Sequence, residues 1–194
     1  MLEQFTISGF KSLSEVKDLD LPRMAVLFGP NAAGKSNFLD ALQALSRIGT
    51  SRTLSDALQD PIRGYPIEAF SFPAGGLPEM LGRDMAHFAL DARLRVDKDR
   101  FRYRVGVRID PRSASVVVSD EYLATLTASG TSKGNPWIES VAGELRIRRK
   151  SKPAHPHTEP VGLNHSLLSD PRLGGVEYRG IERCRNELSK WRTY

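Results

Sequence analysis

Residues 28–39 read FGPNAAGKSNFL, and within them Gly29, Pro30, Asn31, Ala32, Ala33, Gly34, Lys35 and Ser36 satisfy G-x-x-x-x-G-K-[ST] at every fixed position. The residue types follow from what such a loop does. Gly29 and Gly34 let the backbone turn tightly and bring successive N–H groups up to phosphate oxygens. A helix starting near Gly34 adds the positive end of its dipole. Lys35 supplies a point charge, and the Ser36 hydroxyl is a hard oxygen ligand suited to Mg2+. Eight residues of pattern recur by chance, so context decides. Upstream, residues 24–28 (MAVLF) are a continuous apolar run, expected as a strand buried on both faces. Downstream, residues 36–48 place Phe38, Leu39, Leu42, Leu45 and Ile48 at helical spacing before Gly49. Strand, glycine turn, helix is the order a phosphate cradle requires. Residues 29–37, Asn37 included, are therefore the candidate phosphate-binding set, with Ser36 on the metal.

Outward from the loop, residues 2–8 read as a strand before the turn signal Ser8-Gly9, and residues 16–21 as a second strand ending at Pro22. Residues 50–82 are punctuated by proline and glycine and read as loop, with a helical turn only over 53–58. The period then switches to two. Phe88, Leu90, Ala92, Leu94 and Val96 share one face, and so do Phe101, Tyr103, Val105, Val107 and Ile109 after the turn at 97–99. This alternation predicts an antiparallel hairpin, with further strands over 114–127 and 144–149. Its outer face carries Arg93, Arg95, Arg102, Arg104 and Arg108, extendable by Arg146 and Arg148. Residues 150–175 read as a weakly structured connection and 176–191 as a helix with Ile181, Cys184 or Arg185, Leu188 and Trp191 at helical spacing. The expected fold class is α/β, a P-loop NTPase with a mixed sheet: a parallel core around the loop and an antiparallel β subdomain.

The chain has 194 residues, 40% of them hydrophobic, which suits one domain with a real core. No run approaches the roughly 18 apolar residues of a membrane span, and the N-terminus lacks the pattern of a secretory signal. One cysteine excludes an internal disulfide framework, and the expected compartment is a reduced cytoplasm. A net charge of +5 is compatible with polyanion partners. For the arginine face, contact with DNA phosphates competes with a solvated face paired to Asp91, Asp97, Asp99 and Asp110, and the solvated face is expected. His155, His157 and Glu159, with distant His165, lack a full metal-ligand set and read as surface residues. Cys184, flanked by Arg183 and Arg185, reads as a half-buried helix cysteine, although those neighbours would favour its thiolate.

The arrangement ISGFKSLSEVKDLDLP followed by MAVLFGPNAAGKSNFLDAL resembles the N-terminal lobe of the RecF/SMC-like branch of ABC-type ATPases. It is similar as well to the AAA-type ATP-binding proteins of the OLD-like and RecF-like groups, found in DNA repair and bacterial defence. The match is close over residues 2–45 and looser over 86–109. What the resemblance implies is Mg2+ and ATP at residues 29–37 and hydrolysis in a head-to-tail homodimer. On that basis 1–194 is the N-terminal lobe of an incomplete ATPase domain: 1–50 with the loop, 86–149 antiparallel, 150–175 loop, 176–194 helix. Lys11, in GFKS, would touch the phosphate or base side of the nucleotide, or else be an exposed turn lysine. The group also uses a signature serine segment and an apolar strand ending in Asp-Glu. Residues 71–76 and 128–131 only echo the first. VVVSDE at 116–121 imitates the second, where Asp120 would hold Mg2+ through water and Glu121 would polarise the attacking water. Ser119 interrupts the apolar run, so a structural strand with an exposed acidic pair is preferred. No guanine-reading N/T-K-x-D motif appears. Two functions stay open: an ATPase lobe, and a truncated or degenerate nucleotide-binding or interaction protein that does not hydrolyse alone.

Overall fold

The computed structural model describes residues 1–62 and 64–192. Eight strands are β1 (Leu2–Phe10), β2 (Leu13–Asp20), β3 (Ala86–Val96), β4 (Asp99–Asp110), β5 (Ser115–Leu126), β6 (Ile138–Val141), β7 (Glu144–Ile147) and β8 (His157–Pro160). The helices are α1 (Lys35–Ile48), α2 (Leu54–Ile62), α3 (Gly76–Leu81) and α4 (Arg179–Leu188). The strands form one sheet in the order β2-β1-β3-β4-β5-β6-β7-β8. Every named pairing is antiparallel. The mixed α/β class therefore stands, but among the described residues no parallel core accompanies the loop.

The alternating hairpin forms as its pattern demands. β3 and β4 pair without a break from Ala86 opposite Ile109 to Val96 opposite Asp99. Phe88, Leu90, Ala92 and Leu94, with Phe101, Tyr103, Val105, Val107 and Ile109, are buried on one face. Two helices cover it. α1 buries Phe38, Ala41, Ala44, Leu45 and Ile48, and α4 buries Ile181, Cys184 and Leu188. Phe38 meets Phe5 of β1 edge-on at 6.0 Å, and the Ser46 hydroxyl donates to the Leu188 carbonyl at 2.7 Å, tying the helices together. Leu39, counted in the apolar stripe by its spacing, is 44% exposed; Ala41 and Ala44 take the inward positions.

Five expectations need correction. Residues 24–28 are not a strand: Met24, Val26 and Phe28 are exposed, and no ladder joins the run to any described strand. Strand geometry depends on a neighbour's hydrogen bonds, and β1 is already flanked by β2 and β3. The supposed loop over 50–82 holds α2, a 3-10 turn at Pro66–Ala69 and α3. Pro61 lies inside α2, near its end. β6 and β8 were not anticipated, because four-residue strands in polar sequence carry little periodicity. The C-terminal helix is shorter than 176–191, and residues 193–194 of the segment assigned to it lie outside the described residues.

Ser8-Gly9 is not a turn either; β1 continues through Phe10. Gly9 adopts φ +70°, and a Cβ there would stand 2.6 Å from the His87 carbonyl oxygen of β3. Gly9→Ala is therefore expected to cost about 1–3 kcal/mol. In urea titration this would appear as a lower midpoint with an unchanged slope.

Candidate phosphate-binding loop

The loop residues stand at the start of α1, which begins at Lys35 with Gly34 as N-cap. Gly34 has φ +86°, a conformation that strains any side chain, and a Cβ would approach Leu13 Cδ2 to 3.1 Å. No side chain caps the helix and its first turn carries no acidic residue, so the positive dipole end is unbalanced. Lys35 folds back over the loop, and its ammonium donates to the carbonyls of Gly29 at 2.8 Å and Pro30 at 2.7 Å. Asn31, Ala32, Ala33 and Ser36 are exposed. Asn37 Nδ2 donates to Ser12 Oγ at 2.6 Å, joining the helix start to the β1–β2 turn. An open ring of backbone, a lysine ammonium and a free helix end suit a polyphosphate, and a serine hydroxyl in the first turn suits a hard cation.

A family described as "AAA domain, putative AbiEii toxin, Type IV TA system" matches residues 24–174. The chain belongs to this family. The match opens on the apolar run before the loop and takes in the whole antiparallel sheet apart from β1 and β2. An AAA domain is a P-loop ATPase-type domain, and membership implies nucleotide binding by a P-loop. No curated protein matches the chain. None of its described helices is long and apolar enough to cross a membrane.

Lys11 proves to be neither an exposed turn residue nor a free cation in this AAA-family chain. At φ +49°, its ammonium donates to Asp40 Oδ2 at 2.6 Å and to the Pro61 carbonyl at 3.0 Å, clamping the turn onto α1 and α2. The pair is mostly withdrawn from water.

The two acidic residues of β5 separate. Asp120 pairs with Arg104 at 2.6 Å on the outer face. Glu121, expected as half of an exposed pair, is fully buried. Its carboxylate accepts from Tyr103 Oη at 3.1 Å, Leu167 N at 2.7 Å and Leu168 N at 3.0 Å. Burial pushes the Glu121 carboxyl up to about 7, against the lowering by the Leu168 and Leu167 amides and the Tyr103 hydroxyl. Burial likewise holds the Tyr103 hydroxyl well above its usual value of 10, so it remains a donor. The sequence contained the residue but not its role, since its two amide donors lie 46 and 47 positions downstream.

The arginine face is laced with ion pairs. Arg102 binds Asp91 at 2.6 Å, as its position on the hairpin suggested. Arg100 reaches Glu3 at 3.0 Å, and Arg95 joins the same carboxylate. Arg148 pairs with Glu139 at 2.6 Å. Asp97 and Asp99 turn instead to Arg183 of α4, and Asp110 to the Ser113 hydroxyl in its own turn. Cys184 is fully buried rather than half-buried, and burial drives its thiol pKa upward. Arg183 points to the aspartates, while Arg185 donates to the carbonyls of Leu168, Asp170 and Leu173. His157 meets Glu159 at 2.9 Å on the surface, and no metal-holding cluster of acids, histidines and cysteine occurs among the described residues. Thr127, Ser129 and Thr131 close a turn through their own hydroxyls, and Ser71 is bound to the carbonyl of Lys11.

Glu121 gives a pH signature. Its folded pKa of about 7 exceeds the ordinary value near 4.5, so the folded chain holds a proton that the unfolded chain releases. Stability from this group is complete below about 4.5 and is lost as pH rises to about 7, a change of roughly 3 kcal/mol. Chemical unfolding of wild type and Glu121→Gln across that range is expected to show the variant lacking this decline.

Proposed function

We propose that residues 29–37 bind the phosphates of ATP, with Ser36 contributing a ligand to Mg2+, and that 1–194 acts as the N-terminal lobe of a RecF/SMC-like ATPase. The single observation that carries the binding assignment is the cradle itself: a left-handed Gly34 start to α1, an unbalanced helix end and Lys35 poised over the loop. Backbone N–H groups would hold the phosphate oxygens. Lys35 would exchange its bonds to the Gly29 and Pro30 carbonyls for the terminal phosphates. Bound Mg2+ would supply charge neutralisation between phosphate oxygens. The family description, with its toxin and TA wording, supports a defence setting over DNA repair. DNA contact through the arginine face forms no part of the proposal, because many of those guanidiniums are already partnered.

A second reading, binding without hydrolysis by this chain alone, is favoured by two observations. The apolar run 24–28 that leads into the loop lies uncovered, and Glu121 is engaged inside the core. A head-to-tail partner of the kind the resemblance implies would then be needed for turnover.

Calorimetric titration with ATP and Mg2+ tests the binding assignment. Lys35→Ala is expected to weaken ATP by at least ten-fold, and Ser36→Ala to remove most of the dependence of affinity on Mg2+. Undiminished binding in Lys35→Ala would refute the cradle. For turnover, phosphate release by the 194-residue chain that vanishes in Glu121→Gln, with folding intact, would make Glu121 catalytic and overturn the second reading.

A further inference from the structure

Arg93 is a half-buried guanidinium to which the fold gives no anion. It lies on the outer face of β3, with Gln4 of β1 on one side and Arg102 of β4 directly opposite on the other. Like charges facing each other across a ladder repel. Asp91, the carboxylate two residues earlier on the same face, gives its two oxygens to Arg102 at 3.1 and 2.6 Å. The Gln4 amide donates to Asp20 at 2.9 Å. Glu3, beside it on β1, takes Arg100 at 3.0 Å and Arg95. Among the described residues Arg93 makes no hydrogen bond or ion pair, and neither does Arg23, just past the end of β2. A guanidinium withdrawn from water without a counter-charge is costly.

Both unpaired arginines open onto one recess. Its cavity of about 390 Å3 is lined by Arg23, Arg93 and Arg100, by Glu3 and Asp20, and by Ser129. One wall is the turn over 127–131, closed by Thr127 N donating to the Thr131 carbonyl at 2.8 Å. Arg100 ties this turn to β4 by donating to the Ala128 carbonyl at 3.3 Å. Gly130 stands at φ +85°, and a Cβ there would come within 3.3 Å of Arg93 Nη1, so the guanidinium lies against the turn. The charge is unbalanced. With Arg95, which shares Glu3, four guanidiniums meet two carboxylates, an excess of two positive charges. Arginine forks match the oxygens of a phosphate, and a dianion would restore the balance. The recess lies at the start of β1, whereas the phosphate loop adjoins the turn beyond its other end, through Asn37 and Ser12. Arg102 and Arg104, which continue the same face of β4, are paired with Asp91 and Asp120, so the free charge here is local and not a continuous track.

We propose that this recess binds a dianionic phosphate group, as free phosphate or as the monoester of a small metabolite, with Arg23 and Arg93 as its counter-charges. The Ser129 hydroxyl can turn to donate to the same group. The site shares no residue with the loop at 29–37, so it stands whether or not ATP binds there.

Proton–nitrogen NMR of the whole chain reads this site separately from the loop. Titration with inorganic phosphate, and in a second arm with glycerol 3-phosphate, is expected to shift the Ser129 and Gly130 amides and the Arg93 Nε–H in a saturable way. Whichever probe saturates them at the lower concentration identifies the source of the phosphate. Arg93→Gln is expected to raise the concentration needed at the Ser129 and Gly130 amides at least ten-fold, with the amides of the phosphate loop responding as in wild type. Lys35→Ala is expected to leave the Ser129 and Gly130 response unchanged. If those two amides stay still with both probes, or shift equally in Arg93→Gln, the site does not exist. Shifts produced by an oligothymidylate and by neither small phosphate would assign the surface to a nucleic-acid backbone and overturn the proposal as well. Without added anion, the thermal midpoint of Arg93→Gln is expected to equal or exceed that of wild type, because an uncompensated charge is removed. A lower midpoint would mean that the protein already satisfies the guanidinium, and the proposal would fall.

Discussion

The buried carboxylate of Glu121 is the constraint on which the packing of this molecule turns. It sits on β5 with no exposure and takes three donors, the Tyr103 hydroxyl from β4 and the amides of Leu167 and Leu168. Those amides open a 3-10 turn, Leu167–Ser169, whose other groups are spoken for as well. Ser166 donates to the Ile48 carbonyl at the end of α1, and Arg185 of α4 donates to the Leu168, Asp170 and Leu173 carbonyls. Upstream of the turn, Val118 and Gly162 exchange backbone bonds with Leu163 and Val118 along β5. One acidic side chain thus fixes a strap that sheet and both covering helices share. An unpaired carboxylate at that depth would be costly, and its donors are what make the site tolerable. The same engagement explains why the acidic dipeptide of β5 cannot be judged by its sequence likeness to a catalytic strand.

What was legible in the sequence is what local pattern enforces. β3 and β4 alternate strictly because one face is buried and one is not, and a one-residue slip would invert every side chain. The loop and α1 were legible because glycine, lysine and serine are required at set positions there. The rest depended on contacts across long separations. Residues 65–72 look like loop, yet they are held by Gly9 and Lys11 some 60 positions away. The acidic partners of the arginines were half found: Asp91 lies diagonally across the hairpin from Arg102, whereas Glu3, Asp120 and Glu139 come from strands whose pairing the alternation did not specify. The family resemblance offered Lys11 to the ligand, with a solvent-exposed turn as the alternative, and it went to Asp40.

Residues 24–28 show the reverse failure. Five consecutive apolar side chains are a sound signature of a doubly buried strand, and here the side chains of Met24, Val26 and Phe28 are 85%, 77% and 90% exposed. Hydropathy alone does not supply a neighbouring strand, and this segment has none among the described residues. It also leads straight into Gly29, so the aim of the phosphate loop is set on one side by α1 and on the other by a segment with no ladder of its own.

The energetics of the cradle follow from that asymmetry. On the helix side the loop is firm: Phe38 is buried against Phe5, and Asn37 is bound to Ser12. Lys35 meanwhile satisfies two of the loop's own carbonyls. A polyphosphate bound as proposed would take that lysine away, but the bonds surrendered are to neutral, exposed oxygens that water can re-solvate. The bonds gained are between an ammonium and anionic oxygens, roughly twice as strong as neutral ones. The exchange therefore favours the ligand without any change in the helix.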